Sequence, residues 1–156
     1  MHTLKIVSGG QTGVDRGALA AALATGTHCG GWCPEGRLSE DGPIPPAYPV
    51  VELAGAGYRE RTLQNVLDSD GTAIIHQGEL EGGTRLTRTY CVDHARPYLL
   101  IDMSAVTRNQ AIEAVIEFVA TEGIRVLNVA GPRTSKWPEA FSTTRRLLSA
   151  ALRQLA

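Results

Sequence analysis

The chain has 156 residues, 43% of them hydrophobic, and a formal net charge of −1. That length suits one domain with a real core, and the balanced charge argues against broad attraction to nucleic acid or an anionic membrane. No secretory leader and no long apolar run is read, so the expected compartment is the cytoplasm, while Cys29, Cys33 and Cys91 form no CxxC pair and hence neither a disulfide framework nor a zinc site.

The alternating run Leu4-Lys5-Ile6-Val7 predicts a strand over 3–8. Ser8-Gly9-Gly10-Gln11-Thr12-Gly13-Val14-Asp15-Arg16 follows, and an alanine-rich helix is expected over 14–25, stopping near Gly26. This is strand, glycine turn, helix. Glycines let the backbone turn sharply and approach a ligand. The free N–H groups and positive dipole end of the helix then favour an anion, most often a phosphate. A short strand is expected over 28–32. The proline-rich stretch 33–57 reads as irregular, and a loop of that length points to a lid or binding loop. A helix over 59–68 with Leu63, Val66 and Leu67 as its apolar face leads into a strand over 72–76. A second glycine loop, 77–84, precedes a helix over 84–94. A strand over 97–101, a helix over 107–121 and a strand over 125–130 follow. A third glycine turn, Gly131-Pro132-Arg133-Thr134-Ser135, leads into a helix over 138–155.

Strands alternating with helices imply an α/β domain, a mostly parallel five-stranded sheet with helices on both faces. In such sheets ligands sit beyond the C-terminal strand ends, at the switch point of strand order. All three glycine turns follow strands, so their loops are expected to line one pocket. Within the first turn, Gly9, Gly10 and Gly13 allow close approach, and Gln11 and Thr12 offer hydrogen bonds. Asp15 either complements the helix dipole or faces the ligand; Arg16 opposes the dipole and suits a pocket. Gly82 and Gly83 repeat the anion-loop logic, with Thr84 either capping the helix or binding ligand. Arg37 and Arg133, and Gly131 beside the latter, follow the same pattern, the arginines being either phosphate clamps or surface groups. Glu40-Asp41 reads as a metal or ribose contact or as a solvated acidic pair. Trp32 either stacks on a flat ring or packs in the core. The histidines show no metal spacing, and His76 alone lies at a predicted strand end near the site. No Ser-His-Asp, Cys-His or carboxylate pair stands out, so binding is read more clearly than a reaction.

With these residues in hand, the chain resembles the molybdenum cofactor carrier family of bacteria. The resemblance is carried by Ser8 to Arg16, Gly31-Trp32-Cys33-Pro34 with Gly36-Arg37 and Glu40-Asp41-Gly42, Asn65-Val66 with Ser69-Asp70-Gly71-Thr72, Gly82-Gly83-Thr84, and Asn128-Val129-Ala130-Gly131-Pro132-Arg133. That family is similar to a wider Rossmann-like group that includes the lysine-decarboxylase-like phosphoribohydrolases and the DNA-processing protein DprA. The resemblance implies a single Rossmann-like domain over 1–156 that carries molybdenum cofactor, with molybdoenzymes as partners and self-association into an oligomer. The alternatives are a nucleotide phosphoribohydrolase or a nucleotide-sensing module. The hydrolases carry a catalytic glutamate after Gly-Gly-x-Gly-Thr; Thr87 stands in the aligned place here, and hydrolysis is not expected.

Overall fold

Five short strands of the computed structural model pair side by side in the order β2-β1-β7-β5-β6, every neighbour parallel. Residues 3–156 are described; Met1 and His2 lie outside them. The elements run β1 (Lys5–Val7), α1 (Val14–Ala24), β2 (His28–Gly30), β3 (Trp32–Pro34), β4 (Val51–Leu53), α2 (Tyr58–Leu67) and β5 (Gly71–His76). They continue with α3 (Gly82–Asp93), β6 (Tyr98–Asp102), α4 (Arg108–Glu122), β7 (Val126–Ala130) and α5 (Ala140–Leu155). A single-turn 3-10 helix covers Glu35–Arg37.

Side chains alternate across the sheet, so each strand feeds two layers. Ile6, Ala73, Ile75, Leu127 and Val129 face a core closed by Val14, Ala18, Val115, Leu147 and Leu148 of α1, α4 and α5. On the opposite face α3 packs on β5, and α2 packs against α3 and β3. The expected two-sided α/β sheet is therefore present. β7 sits at its centre, and Asp70, just before β5, fixes it there: its Oδ2 accepts hydrogen bonds from the backbone N–H groups of Arg125 and Val126, 3.0 and 2.9 Å. Counted from β7, the strand order is 3-2-1-4-5, that of the dinucleotide-binding Rossmann sheet. The reversal point of such a sheet lies between its first and fourth strands, here β7 and β5.

Three sequence expectations change. The strand expected over 28–32 is two strands in two sheets. Gly31 breaks it with φ +123, and a Cβ there would lie 2.2 Å from the Ser8 carbonyl oxygen, so only glycine lets the chain cross this close to the end of β1. The stretch 33–57 is not wholly irregular, because β3 and β4 pair in parallel around it. Ile44 and Val50, 1% and 5% exposed, anchor its middle against Leu19 of α1. The buried face of α2 also differs. It is Thr62, Asn65 and Val66, with Leu63 and Leu67 only half-buried, the Asn65 amide being turned inward by its two bonds to the Trp32 backbone.

Candidate functional site

The parallel sheet puts the loops after β1, β5 and β7 on one edge. Their surroundings differ. Every residue from Ser8 to Arg16 is buried. Gly10 and Gly13 have φ of +79 and +82, and the approach this allows is to the chain itself: a Cβ would meet Ile44 at Gly10 and the Pro132 carbonyl oxygen at Gly13, 2.4 Å away. Gln11 Oε1 accepts from the backbone N–H groups of Thr12 and Glu40, 3.0 and 2.9 Å. The Thr12 hydroxyl donates to Glu40 and accepts from the Thr134 backbone N–H. Arg16 binds both Asp41 carboxylate oxygens, at 2.8 and 2.9 Å, and donates from Nε to the Gly10 carbonyl. The first turn is thus covered by side chains of the stretch 39–41, while at the N-terminus of α1 itself, which has no side-chain cap, the Val14 N–H bonds to the Pro132 carbonyl at 3.1 Å. Glu40 and Asp41 are exposed residues, the Asp41 side chain 54% so, and both are tied to the first turn.

Arg37 has the same internal character. Its guanidinium donates to the carbonyls of Ile44, Pro45, Tyr48 and Val50, each at 2.9 Å, and so braces the loop. Arg133, 44% exposed, lies 3.6 Å from Glu40. Gly131 is packed against the Ile75 carbonyl and Val14, with no room for a Cβ. Trp32 is held away from this edge. Its backbone exchanges two hydrogen bonds with the Asn65 amide, and its indole N–H donates to Asp68. The ring lines a separate cleft of about 280 Å³ with Lys5, Val7, Val51 and Val126.

The N-terminus of α3 is the open one. Gly82 and Gly83 are exposed, and a Cβ on either would touch nothing within 4 Å. No side chain caps this end, and no acidic residue lies in its first turn. Thr84 is buried; its backbone N–H bonds to the Glu81 carbonyl at 3.0 Å. Below lies a polar pit at the strand-reversal point, lined by Gly9, Asp15, Arg61, Thr62, Asn65, Thr87 and Asn128 to Ala130. At about 10 Å³ it has room for one water at most. Arg61 is what fills it. Its guanidinium lies on Gly9, where a Cβ would sit 1.9 Å from Nη1. It faces Asp15 at 3.5 Å, stacks over Tyr58 at 5.7 Å, and is 12% exposed. Its buried Nε has no hydrogen-bond partner among the described residues.

Asp15 is 4% exposed. Burial pushes its carboxyl up to about 6, outweighing Arg61, Arg16 and the N–H groups of Gln11 and Gly9. The same region shows what sequence reading missed. Arg61, Thr62, Asn65, Thr87 and Asn128 line the pit, and none belongs to a glycine turn. For Arg61 and Asn65 the available signal was polar residues at helical spacing opposite a weak apolar stripe. Thr87 donates to the Gly83 carbonyl, 2.9 Å, within its own helix. His76, a strand-end residue, bonds through Nδ1 to the Gly78 carbonyl. Among the described residues, no group of His, Cys, Asp and Glu could hold a metal ion, and no helix is long and apolar enough to cross a membrane.

Comparison with known proteins adds to this geometry. Residues 6–152 match the family described as the circularly permutated YpsA SLOG family. The strand order read from β7 is the structural form of such a permutation. A crystal structure of a Syntrophus aciditrophicus SB protein, described as a "Putative molybdenum carrier protein", is 43% identical with a TM-score of 0.93. The match covers 96% of this chain and 95% of that one. No curated protein matches the chain.

Proposed function

The chain belongs to the circularly permutated YpsA SLOG family, and from that premise we propose that it binds a phosphorylated small molecule, foremost molybdenum cofactor, as a carrier. The observation that carries the reading is the contrast at one sheet edge: the N-terminus of α3 is uncapped and exposed, and the pit that Thr87 of the same helix lines holds the partnerless Arg61 Nε. Free helix N–H groups and a guanidinium are the donors a phosphate takes. The relative described as a molybdenum carrier supports the choice of cargo. The first turn contributes Gly9 and Asp15 as the inner wall. A carrier role brings with it molybdoenzymes as recipients, a cytoplasmic setting and self-association.

Calorimetric titration of the parent with molybdopterin, and separately with AMP, tests this. Arg61→Ala removes a charge-assisted contact and is expected to weaken binding by about ten- to a hundredfold. Gly83→Val is expected to weaken it with the fold intact, since there is room for the side chain but not for side chain and ligand together. Equal affinity in all three proteins sinks the reading. Release of free base from AMP, abolished by Asp15→Asn, replaces the carrier with a phosphoribohydrolase.

A further inference from the structure

The segment 38–43 is attached to the body by charge rather than by packing. At its base, the Ile44 backbone N–H bonds to the Arg37 carbonyl at 2.8 Å, and the Arg37 guanidinium braces the chain that follows. Apolar anchoring begins only at Ile44. Within the tip, Leu38 is 53% exposed, Pro43 is exposed, and Gly42 has φ +106 with nothing near its Cβ direction. Two carboxylates hold the tip down, together with two neutral-acceptor bonds, from Arg16 to the Ser39 hydroxyl at 2.8 Å and from the Glu40 backbone N–H to Gln11 Oε1 at 2.9 Å. Glu40 accepts from the Thr12 hydroxyl, from the Ser135 backbone N–H at 3.2 Å and from the Ser135 hydroxyl at 2.5 Å, and it faces Arg133. Asp41 accepts the bidentate pair from Arg16 and a bond from the Ser39 hydroxyl at 2.8 Å. The donors under the tip are an arginine fork, two hydroxyls and a backbone N–H, the set that oxyanions take.

We infer that the 38–43 tip is an autoinhibitory latch, whose Glu40 and Asp41 carboxylates occupy donors that an anionic ligand competes for. The inference rests on the reading of the ligand as phosphorylated. In the closed state the first turn is sealed and α3 alone is open. A ligand with a second anionic group that reaches Arg16, Thr12 and Ser135 releases the tip and exposes the first turn. Both carboxylates are charged at neutral pH. Arg16 and Ser39 hold Asp41 down at about 2, and at Glu40 burial is outweighed by the bonds from Ser135 and Thr12, which lower it.

The test uses the full chain and inorganic pyrophosphate. Glu40→Gln with Asp41→Asn keeps shape and removes charge, and Glu40→Gln alone is the milder companion should the pair fold poorly. Without ligand, amide hydrogen exchange over 38–43 and over Gln11 to Arg16 is expected to rise at least about tenfold in the double variant. Unchanged exchange overturns the latch whatever binds. With pyrophosphate, the double variant is expected to bind about tenfold tighter than the parent, and the single variant in between. If parent and variants bind equally while Arg61→Ala loses binding, the latch is wrong and the α3 site stands. If Arg61→Ala binds as the parent does but the double variant is tighter, the latch stands and the α3 site is wrong.

Discussion

Two helix N-termini meet the same sheet edge, each after a glycine turn, and the chain treats them in opposite ways. At α1 every residue of the turn is buried and its donors are met by Asp15, Glu40 and Asp41. At α3 the glycines are exposed; neither helix has a side-chain cap, so the difference lies in what covers the turn. The lesson is that a glycine turn before a helix is a place where something approaches closely, and the something can be the chain. At Gly13 it is the Pro132 carbonyl; at Gly83 there is open space. The glycines at α1 serve assembly of the edge, and those at α3 leave it accessible.

The strongest way to break this contrast is to put the same methyl on both turns. Gly13→Ala forces a side chain onto φ +82 and into a backbone oxygen 2.4 Å away. Strain and overpacking together are expected to lower stability by about 3–5 kcal/mol. Gly83→Ala meets neither obstacle and should leave stability within about 1 kcal/mol of the parent. Urea unfolding of the two variants reads the difference, and equal losses would end the distinction.

A smaller effect comes from the carboxyl between the two ends. Asp15 rises from 3.8 to about 6 on folding. The folded state therefore binds this proton more tightly than the unfolded chain does. The stabilisation from that proton is complete below about 3.8 and is lost as pH rises through about 6, a change on the order of 3 kcal/mol. Urea midpoints across pH 4–6.5 should show this fall in the parent, and Asp15→Asn should flatten it. Asp41 titrates lower and in the opposite sense, its stabilisation being lost as pH falls toward about 2, so the windows separate. A parent without the fall between pH 4 and 6 contradicts the buried placement of Asp15.

The smallest effect is at Arg133. Its pair with Glu40 spans 3.6 Å and the side chain is 44% exposed. Arg133→Ala should change stability by less than about 1 kcal/mol. A larger loss in thermal melts would mean that the 133–135 turn is held by this arginine rather than by the Ser135 and Thr134 bonds.

Much of the fold was legible because periodicity is local. Ala111, Ile112, Val115 and Val119 mark α4 at helical spacing, and Thr107 and Gln110 close its capping box. The three-residue strands β3 and β4 carry no such period. β3 and β4 owe their pairing to the loop between them and to Gly31, so their existence is a tertiary fact. The site was legible in part for the same reason. Glycine turns announce themselves in a string, but the cover over the first one comes from Ser39 to Asp41, well downstream. Arg61 stands in a helix with no punctuation near it. Its role comes from lying on Gly9, a contact that exists only once α2 crosses the sheet.

The central place of β7 has a kinetic side. β2 pairs with β1, and β5 with β6, but β1 and β5 meet only through β7, the last strand in the chain. During synthesis the two halves therefore emerge with their inner edges unpaired, and the sheet closes only when residues 126–130 insert between them. Bonds such as Thr134 to Thr12 join residues 122 positions apart. Such long-range closure is slow, and the waiting edges are exposed to association with other chains. The order that brings the pit's walls together thus makes the site wait for the last strand.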